Sequence, residues 1–464
     1  MAHIEREIKL GLTSQAFARL ARLAPQRRSV ASVYYDTARH ELRRAGIALR
    51  LRRDGQRWLQ TLKAQSSPHA GLAARAEWEL PVRGKALEPA RFPQAEIRSA
   101  TGVDLARVAR RLRPVFETRF TRRSGLVRLD GRANAELCID QGLIVSGKLR
   151  EKISEVELEL ISGDTQALLR FAEGLALPLA YESKAERGYR LAAGLPRAPR
   201  KWRMPEIDPA SAPAAAFEAL FSTALAQVGV NAAGMRTSRD PEYLHQLRVG
   251  LRRLRSALRA FAPILKEVKP LTRSMRAFMP ALGAARDWDV FADRLGAVRS
   301  APARGEAARR EALAVVASHE FQAFLFHSLR WLQSRPRRES DATLGDFAPG
   351  RLERLHRKTV EALDGNGARR RHKLRIRVKR LRYACDFFAP CFPAAALEAY
   401  IRPLAALQDI LGELNDIAVA RRFLKALGAS APKRLETRER QLMTALRAAR
   451  ERFERAPQYW RPQA

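Results

Sequence analysis

The sequence predicts an α+β multidomain protein: an antiparallel β half with a few helices, then an all-α half built of two repeated helical bundles. Three observations carry this. Apolar residues recur every second position through the first 190 or so residues, then every three to four positions beyond residue 213. The second half also repeats a histidine-headed basic segment. With 464 residues and 46% hydrophobic content, the chain has material for more than one buried core, which excludes disorder throughout.

In chain order, period-two segments are IEREIKL at 4–10, IALRLRR at 47–53, AEWEL at 76–80, LCID at 137–140 and SEVELEL at 154–160. Short helices are predicted near 14–24, 104–112 and 164–175. Residues 192–213 hold five prolines and no periodicity, which is linker composition. The predicted division is a β domain over 1–195, a Pro-rich linker over 196–211 and a helical domain over 212–464. Pro/Gly clusters split the last into repeats of about 212–335 and 350–464.

Lys and Arg number 86 against 49 Asp and Glu, a net charge of +37 that selects polyanionic partners. The three cysteines, Cys138, Cys385 and Cys391, form no C-x-x-C pair and are too few for a disulfide scaffold. The N-terminus lacks a signal-peptide core, and the least polar stretch, Ala214 to Met235, is interrupted by Glu218, Gln227 and Asn231. The expectation is a soluble cytoplasmic protein with no membrane partner.

The repeat aligns His245-Gln-Leu-Arg-Val-Gly-Leu-Arg-Arg-Leu-Arg255 with His372-Lys-Leu-Arg-Ile-Arg-Val-Lys-Arg-Leu-Arg382 without a gap. At about 100° per residue, His245, Arg248, Arg252 and Arg255 share one side of their helix, as do His372, Arg375, Lys379 and Arg382. Leu247, Leu251, Leu254 and Leu258 form a separate apolar stripe, matched by Leu374, Val378, Leu381 and Cys385. Neither basic window contains an acidic residue, so the cations await an external anion or carboxylates from elsewhere. One such face could be merely solvated; its recurrence behind two histidines points to anion binding. Asp287, Asp289 and Asp416 follow each repeat and could bind metal, though orienting the arginines by ion pairing suits them better. Few aromatics stand beside the rails, which favours a phosphate chain without bases over nucleic acid.

In the β half, alternation sorts charge by face. Glu5, Glu7 and Lys9 share a face; so do Arg50 and Arg52, Glu77 and Glu79, and the three residues Glu155, Glu157 and Glu159. Three same-face carboxylates repel one another unless cations sit between them, and Mg²⁺ or Mn²⁺ with oxygen ligands is the natural remedy. Arg50, Arg52, Lys63, Arg119, Arg123 and Lys184 complement them as an oligophosphate grip. His3, His40 and His69 are not spaced as a zinc site, no nucleotide-loop or nucleophile-elbow motif is present, and Cys138 reads as a buried thiol.

The opening Glu5-Arg-Glu-Ile-Lys9 resembles the E-x-E-x-K signature of the CYTH, or triphosphate tunnel metalloenzyme, family. Tyr34-Tyr-Asp-Thr37, the Arg50/Arg52 strand, Thr61-Leu-Lys63, Glu77-Trp-Glu79, Glu155 to Glu159 and Ser183-Lys-Ala-Glu-Arg-Gly-Tyr189 follow in that family's order, over about residues 1–191. Residues 212–460 are similar to a CHAD domain, an all-α module with paired histidine-led basic repeats, and bacteria are known to fuse the two. The resemblance implies an eight-stranded antiparallel β tunnel that hydrolyses inorganic triphosphate with Mg²⁺ or Mn²⁺, beside a helical module that binds polyphosphate and can locate to polyphosphate granules. It implies Glu7, Glu157 and Glu159 as metal ligands, with Glu5 and Glu155 in the same acidic set, and Glu5 positioning water or a second metal. It also implies Lys9, Arg50, Arg52, Lys63, Arg119 and Lys184 on the triphosphate, Arg123 joining them by alternation alone. A catalytically idle granule-binding protein remains an alternative, as do an adenylate cyclase or a thiamine triphosphatase of the same fold.

Overall fold

The computed structural model describes residues 3–65, 71–295, 301–334, 341–364 and 367–461, so His69 lies outside the described residues. Eight strands close into one antiparallel barrel in the order β1-β5-β4-β3-β2-β6-β7-β8. They are β1 (His3–Gly11), β2 (Gln26–Asp36), β3 (Ile47–Asp54), β4 (Arg57–Gln65), β5 (Leu72–Val82), β6 (Arg113–Arg128), β7 (Asn134–Ser146) and β8 (Leu149–Ser162). Six helices flank them: α1 (Ser14–Ala21), α2 (Glu41–Arg44), α3 (Gln94–Thr101), α4 (Leu105–Ala109), α5 (Thr165–Gly174) and α6 (Lys184–Ala192).

The barrel is turned inside out relative to an ordinary core. Along β1, β3, β4, β5 and β8 alternation gives one apolar and one charged face, and the apolar face points outward, whereas β2, β6 and β7 also turn Val30, Tyr34, Phe116, Phe120 and Ile144 inward against Tyr189 of α6. Leu49, Leu62 and Trp78 pack with Ile97, Leu105 and Val108 of α3 and α4, and Ile8 and Leu10 are fully buried on the outer face of β1, which α5 contacts. Covering such side chains stabilises by about 1.5–3 kcal/mol each, and this offsets the cost of a charged bore. At one end α6 is fixed by a capping box, Ser183 with Glu186. Gly188 allows its close approach, since a Cβ there would lie 2.0 Å from the Phe116 ring.

Compact units follow the change of period: residues 1–199 with 322–334 form one, and 200–321 with 335–464 the other. The remaining helices are α7 (Pro213–Met235), α8 (Pro241–Ala260), α9 (Lys269–Leu295), α10 (Ala301–Ala317), α11 (His319–Gln333), α12 (Leu344–Val360), α13 (Ala368–Phe388), α14 (Ala394–Ala426) and α15 (Lys433–Glu454). Most of α11 groups with the barrel, where the Arg330 guanidinium meets Glu173 at 2.8 Å. In the helical unit, Asp240 caps α8 by accepting from the Glu242 N–H, and both apolar stripes read from the repeat are buried. Phe217, Phe261, Phe347 and Phe388 stack into its core.

Helix α7 is long and apolar enough to cross a membrane, but two-thirds of its most apolar window is buried within the protein. Its polar residues are used internally: Gln227 donates to Gln246 and Asn231 to the Arg200 carbonyl. The Pro-rich segment, irregular in backbone, is tied to the helical unit by that Asn231 contact and by Trp202 lying under Arg253. Its Ser211 carbonyl also accepts from the Leu344 N–H.

Candidate active site and anion surface

The barrel encloses a cavity of about 660 Å³ whose lining includes Glu5, Glu7, Lys9, Arg50, Arg52, Lys63, Glu157, Glu159 and Lys184, brought together from four strands and α6. Register explains the acidic side: Glu7 faces Glu159 and Lys9 faces Glu157 across the β1/β8 ladder. Lys9 bridges Glu7 at 3.0 Å and also contacts Glu157. Lys63 holds Glu5 at 2.6 Å and Glu77 at 3.2 Å.

Glu155 stands in the wall rather than the cavity. Its carboxylate is held by Lys184 at 2.5 Å and Arg187 at 2.9 Å. Asp140, Glu155 and Glu157 present ligand oxygens within 4.8 Å of one another, a cluster that could hold a divalent ion. Lys184 Nζ already occupies that position electrostatically, 2.7 Å from Asp140, 2.5 Å from Glu155 and 3.0 Å from Glu157. The repulsion expected along 155–159 is therefore relieved at two of the three glutamates by side-chain cations.

Glu159 is the exception, with no ion pair among the described residues. Burial above all, then the charges of Glu5, Glu77 and Glu7, pushes its pKa up to about 7 despite Lys63. Burial would raise Glu7 as well, but Lys9, Lys63 and Arg75 hold it at about 2. Hard oxygen donors around an unbalanced carboxylate suit a divalent cation, so the residues fit such an ion.

Opposite in sign, Arg52 makes no ion pair among the described residues and its Nε is buried without a hydrogen-bond partner. Burial and then the neighbouring Arg50 and Arg122 lower its pKa to about 10. Arg50 Nε is likewise orphaned, and its carboxylate partner, Glu77, is 3.9 Å away. Arg50 is nonetheless balanced, its charge favoured by Tyr34, Glu77 and Glu79, so Arg52 is the desolvated guanidinium that offers a pole to an anion.

Two expected phosphate contacts need correction. Arg119 and Arg123 lie on the outer face of β6, and Arg119 is 68% exposed and paired with Glu117. The cavity instead receives Phe120 and Arg122 from this strand. Arg122, missed in the sequence, meets Asp140 at 2.8 and 2.7 Å and Glu157 at 2.5 Å. Arg75, also missed, contacts Glu7 at 3.2 Å. Cys138 lines the cavity as a thiol that burial raises to about 12.

On the helical unit, Arg248 and Arg252 of α8 and Arg375 and Lys379 of α13 converge. Burial first, then Arg375, Arg252 and Arg248, lowers Lys379 to about 7 against the pull of Asp416. Nε and Nη1 of Arg248 and Nε of Arg375 are buried without hydrogen-bond partners. His245 sits beside Arg286, Glu242, Arg252 and Arg248, and His372 beside Arg375 and Lys379; burial depresses both imidazoles first. The rails diverge at their C-terminal ends, where Arg255 meets Arg276 and Arg382 meets Arg253 and Asp386.

A closed antiparallel barrel with an ionisable bore, joined to histidine-headed helical repeats, defines the class: a tunnel domain coupled to a repeated basic helical module. Residues 3–189 match the CYTH domain model and 219–425 the CHAD domain model. The chain is a CYTH domain fused to a CHAD domain. It is 32% identical over 203 residues to the inorganic triphosphatase of Haemophilus influenzae, covering 40% of this chain and 54% of that protein, so the chain spans about half the length of that relative. An uncharacterised Mycobacterium tuberculosis protein is 28% identical over 85% of this chain and 81% of its own length. Among solved structures, the CHAD domain of the plant Ricinus communis is 28% identical over 56% of this chain and 99% of its own, with a TM-score of 0.49. A Hippeastrum adenylyl-cyclase-like protein with a dominant triphosphatase activity is 18% identical over 42% of this chain and 97% of its own, TM-score 0.30.

Proposed function

We propose that the barrel hydrolyses inorganic triphosphate in a Mg²⁺- or Mn²⁺-dependent reaction and that the helical unit binds polyphosphate. The observation that carries this is a pair of opposite poles in one bore, the guanidinium of Arg52 and the carboxylate of Glu159, neither with an ion-pair partner among the described residues. The relationship to a Haemophilus influenzae inorganic triphosphatase supports the substrate class.

Arg50 and Arg52 with Lys63, and Arg122 with Lys9 and Lys184, bind phosphate oxygens along the bore. Glu7, Glu157 and Glu159 would hold the divalent ion. Such an ion supplies, when bound, neutralisation of the charge on the transferring phosphoryl group. Glu5, fixed by Lys63, orients a water for in-line attack. Because Lys9, Lys63, Lys184, Arg122 and Glu5 are fixed in place by buried ion pairs before substrate arrives, little reorganisation of these groups accompanies the reaction. The orphaned Arg248 and Arg375 nitrogens support anion binding on the helical unit, and a chain acting at cytoplasmic polyphosphate granules fits both activities.

The test is phosphate release from inorganic triphosphate, ATP, thiamine triphosphate and long polyphosphate, each with Mg²⁺ and with Mn²⁺. Fastest turnover of inorganic triphosphate, abolished by EDTA, is expected. Preference for ATP or thiamine triphosphate would reassign the substrate, and absence of turnover with retained polyphosphate binding would favour an idle granule-binding protein.

A further inference from the structure

The two repeats differ at positions that their alignment makes equivalent. Extended without a gap, the alignment sets Arg259 against Asp386, Arg255 against Arg382, Arg253 against Arg380 and Gly250 against Arg377. Helices α8 and α13 pack on each other, so these differences fall on the two flanks of their contact. On one flank, Arg259 has Arg380, Arg255, Arg276 and Arg377 as its strongest charged neighbours, while Arg380 also faces Arg377 and Arg255. None of these five arginines forms an ion pair among the described residues. Arg351 of α12 adds a sixth cation nearby, donating to the carbonyls of Ala260 at 2.6 Å and Arg259 at 2.9 Å.

The equivalent flank is closed. Arg253 lies 3.9 Å from Asp386, and its guanidinium stacks over Trp202 at 4.5 Å and Tyr383 at 5.1 Å. There a carboxylate stands beside the guanidinium, whose Nε is buried without a partner, and the ring faces are used. Where the second repeat has an aspartate the first has Arg259, and where the first has Gly250 the second has Arg377. Both exchanges load cations onto the same flank. Guanidiniums gathered from three helices without a carboxylate repel one another, and a polyanion relieves that repulsion.

We propose that Arg255, Arg259, Arg276, Arg377 and Arg380 form a second anion site that takes a further segment of an inorganic polyphosphate chain, separate from the Arg248/Arg375 group. The inference rests on the polyphosphate reading above. A bare phosphate chain suits the site better than nucleic acid, because the rings this helix pair engages, Trp202 and Tyr383, are already stacked on Arg253 and closed to bases. Two sites joined by one long ligand reinforce each other, so the second site matters for long chains and little for triphosphate.

The experiment measures affinity of the full chain for long-chain polyphosphate, inorganic triphosphate and double-stranded DNA across a salt series. The key variant is Arg259→Asp/Arg380→Gln, whose aspartate is what the second repeat carries at the equivalent position. Long-chain affinity should fall at least about tenfold and the salt dependence should lose about two ions, with triphosphate binding nearly unchanged. Arg276→Gln/Arg377→Gln, two arginines on different helices, should act in the same direction if the first variant fails to fold, and Arg259→Lys/Arg380→Lys should retain the salt slope. Unchanged long-chain affinity and slope in a variant with wild-type circular dichroism would overturn the second site alone. Failure of the wild-type chain to bind polyphosphate would overturn the underlying reading with it, and loss of DNA affinity alone would assign the patch to nucleic acid instead.

Discussion

Lys63 Nζ closes on both carboxylate oxygens of Glu5, at 2.7 and 2.6 Å, and Glu159 has no ion-pair partner among the described residues. The consequence is a charge that burdens the fold. With its pKa raised to about 7, folded Glu159 keeps a proton that the unfolded chain releases in the ordinary carboxylate range. The burden is therefore absent well below that range, grows as pH rises through it and is complete above pH 7. Glu159→Gln should raise the melting temperature at pH 8 but not at pH 4, measured without metal, while abolishing metal-dependent phosphate release. An unchanged melting point at pH 8 would contradict the burden, and undiminished release would contradict the ligand role.

Arg122 and Arg119 separate the two faces of β6. Arg122→Ala strips the fully buried Asp140 of two hydrogen bonds and leaves Lys184 alone to balance it; removing one partner of a buried pair costs about 3–5 kcal/mol, and the remaining Lys184 contact puts the expected loss at the lower end. Arg119→Ala touches an exposed pair and should stay within about 0.5 kcal/mol. Urea unfolding of both variants checks this, and triphosphate turnover should be lost in Arg122→Lys and kept in Arg119→Ala.

Strict alternation in IEREIKL is enough to place Glu5, Glu7 and Lys9 on one face, and the 155–159 run behaves alike. The β6 strand defeats the same reading because Arg119, Arg122 and Arg123 offer cations at both parities. The usable signal is Phe116 and Phe120, whose parity Arg122 shares, yet an outward apolar core makes aromatic residues look like the wrong face. Counter-ions are harder still. Lys184 enters from a helix far along the chain and balances Asp140, Glu155 and Glu157 at once, so carboxylates that ask for a metal in sequence already have an ammonium in space. On the helical unit, helical periodicity groups each rail correctly along its own axis, but only packing of α8 on α13 decides that Arg255 and Arg382 part company with it.

Lys379 gives the helical unit a pH response. It faces Arg375 on its own helix, Arg252 and Arg248 on α8 and Asp416 on α14, with a pKa lowered to about 7. A bound polyanion favours its charged form, so binding takes up a proton and tightens as pH falls from about 8 to about 6. Titration calorimetry in buffers of different ionisation enthalpy should register that uptake. Lys379→Arg should bind at least as tightly at pH 8 and with a flatter pH profile; an unaltered profile would exclude Lys379 as its source.

Asp287 provides the last test, because its place among the rail arginines admits two opposite roles. If it orients Arg248, its removal should weaken anion binding; if it merely opposes an incoming anion, removal should strengthen it. The ion-pair partner of Asp287 is Arg422 at 3.7 Å, not a rail residue. Arg248 is instead held by packing, its Nη1 3.0 Å from where a Cβ on Gly283 would stand, and its Nε and Nη1 find no protein acceptor. Asp287 thus acts on Arg248 and Arg375 through its field, which a phosphate chain must overcome. Asp287→Asn is expected to tighten polyphosphate binding severalfold at low salt, with the gain shrinking as salt screens the charge. Weaker binding in Asp287→Asn, with the helical fold intact, would restore the orienting role that the sequence suggests for this residue.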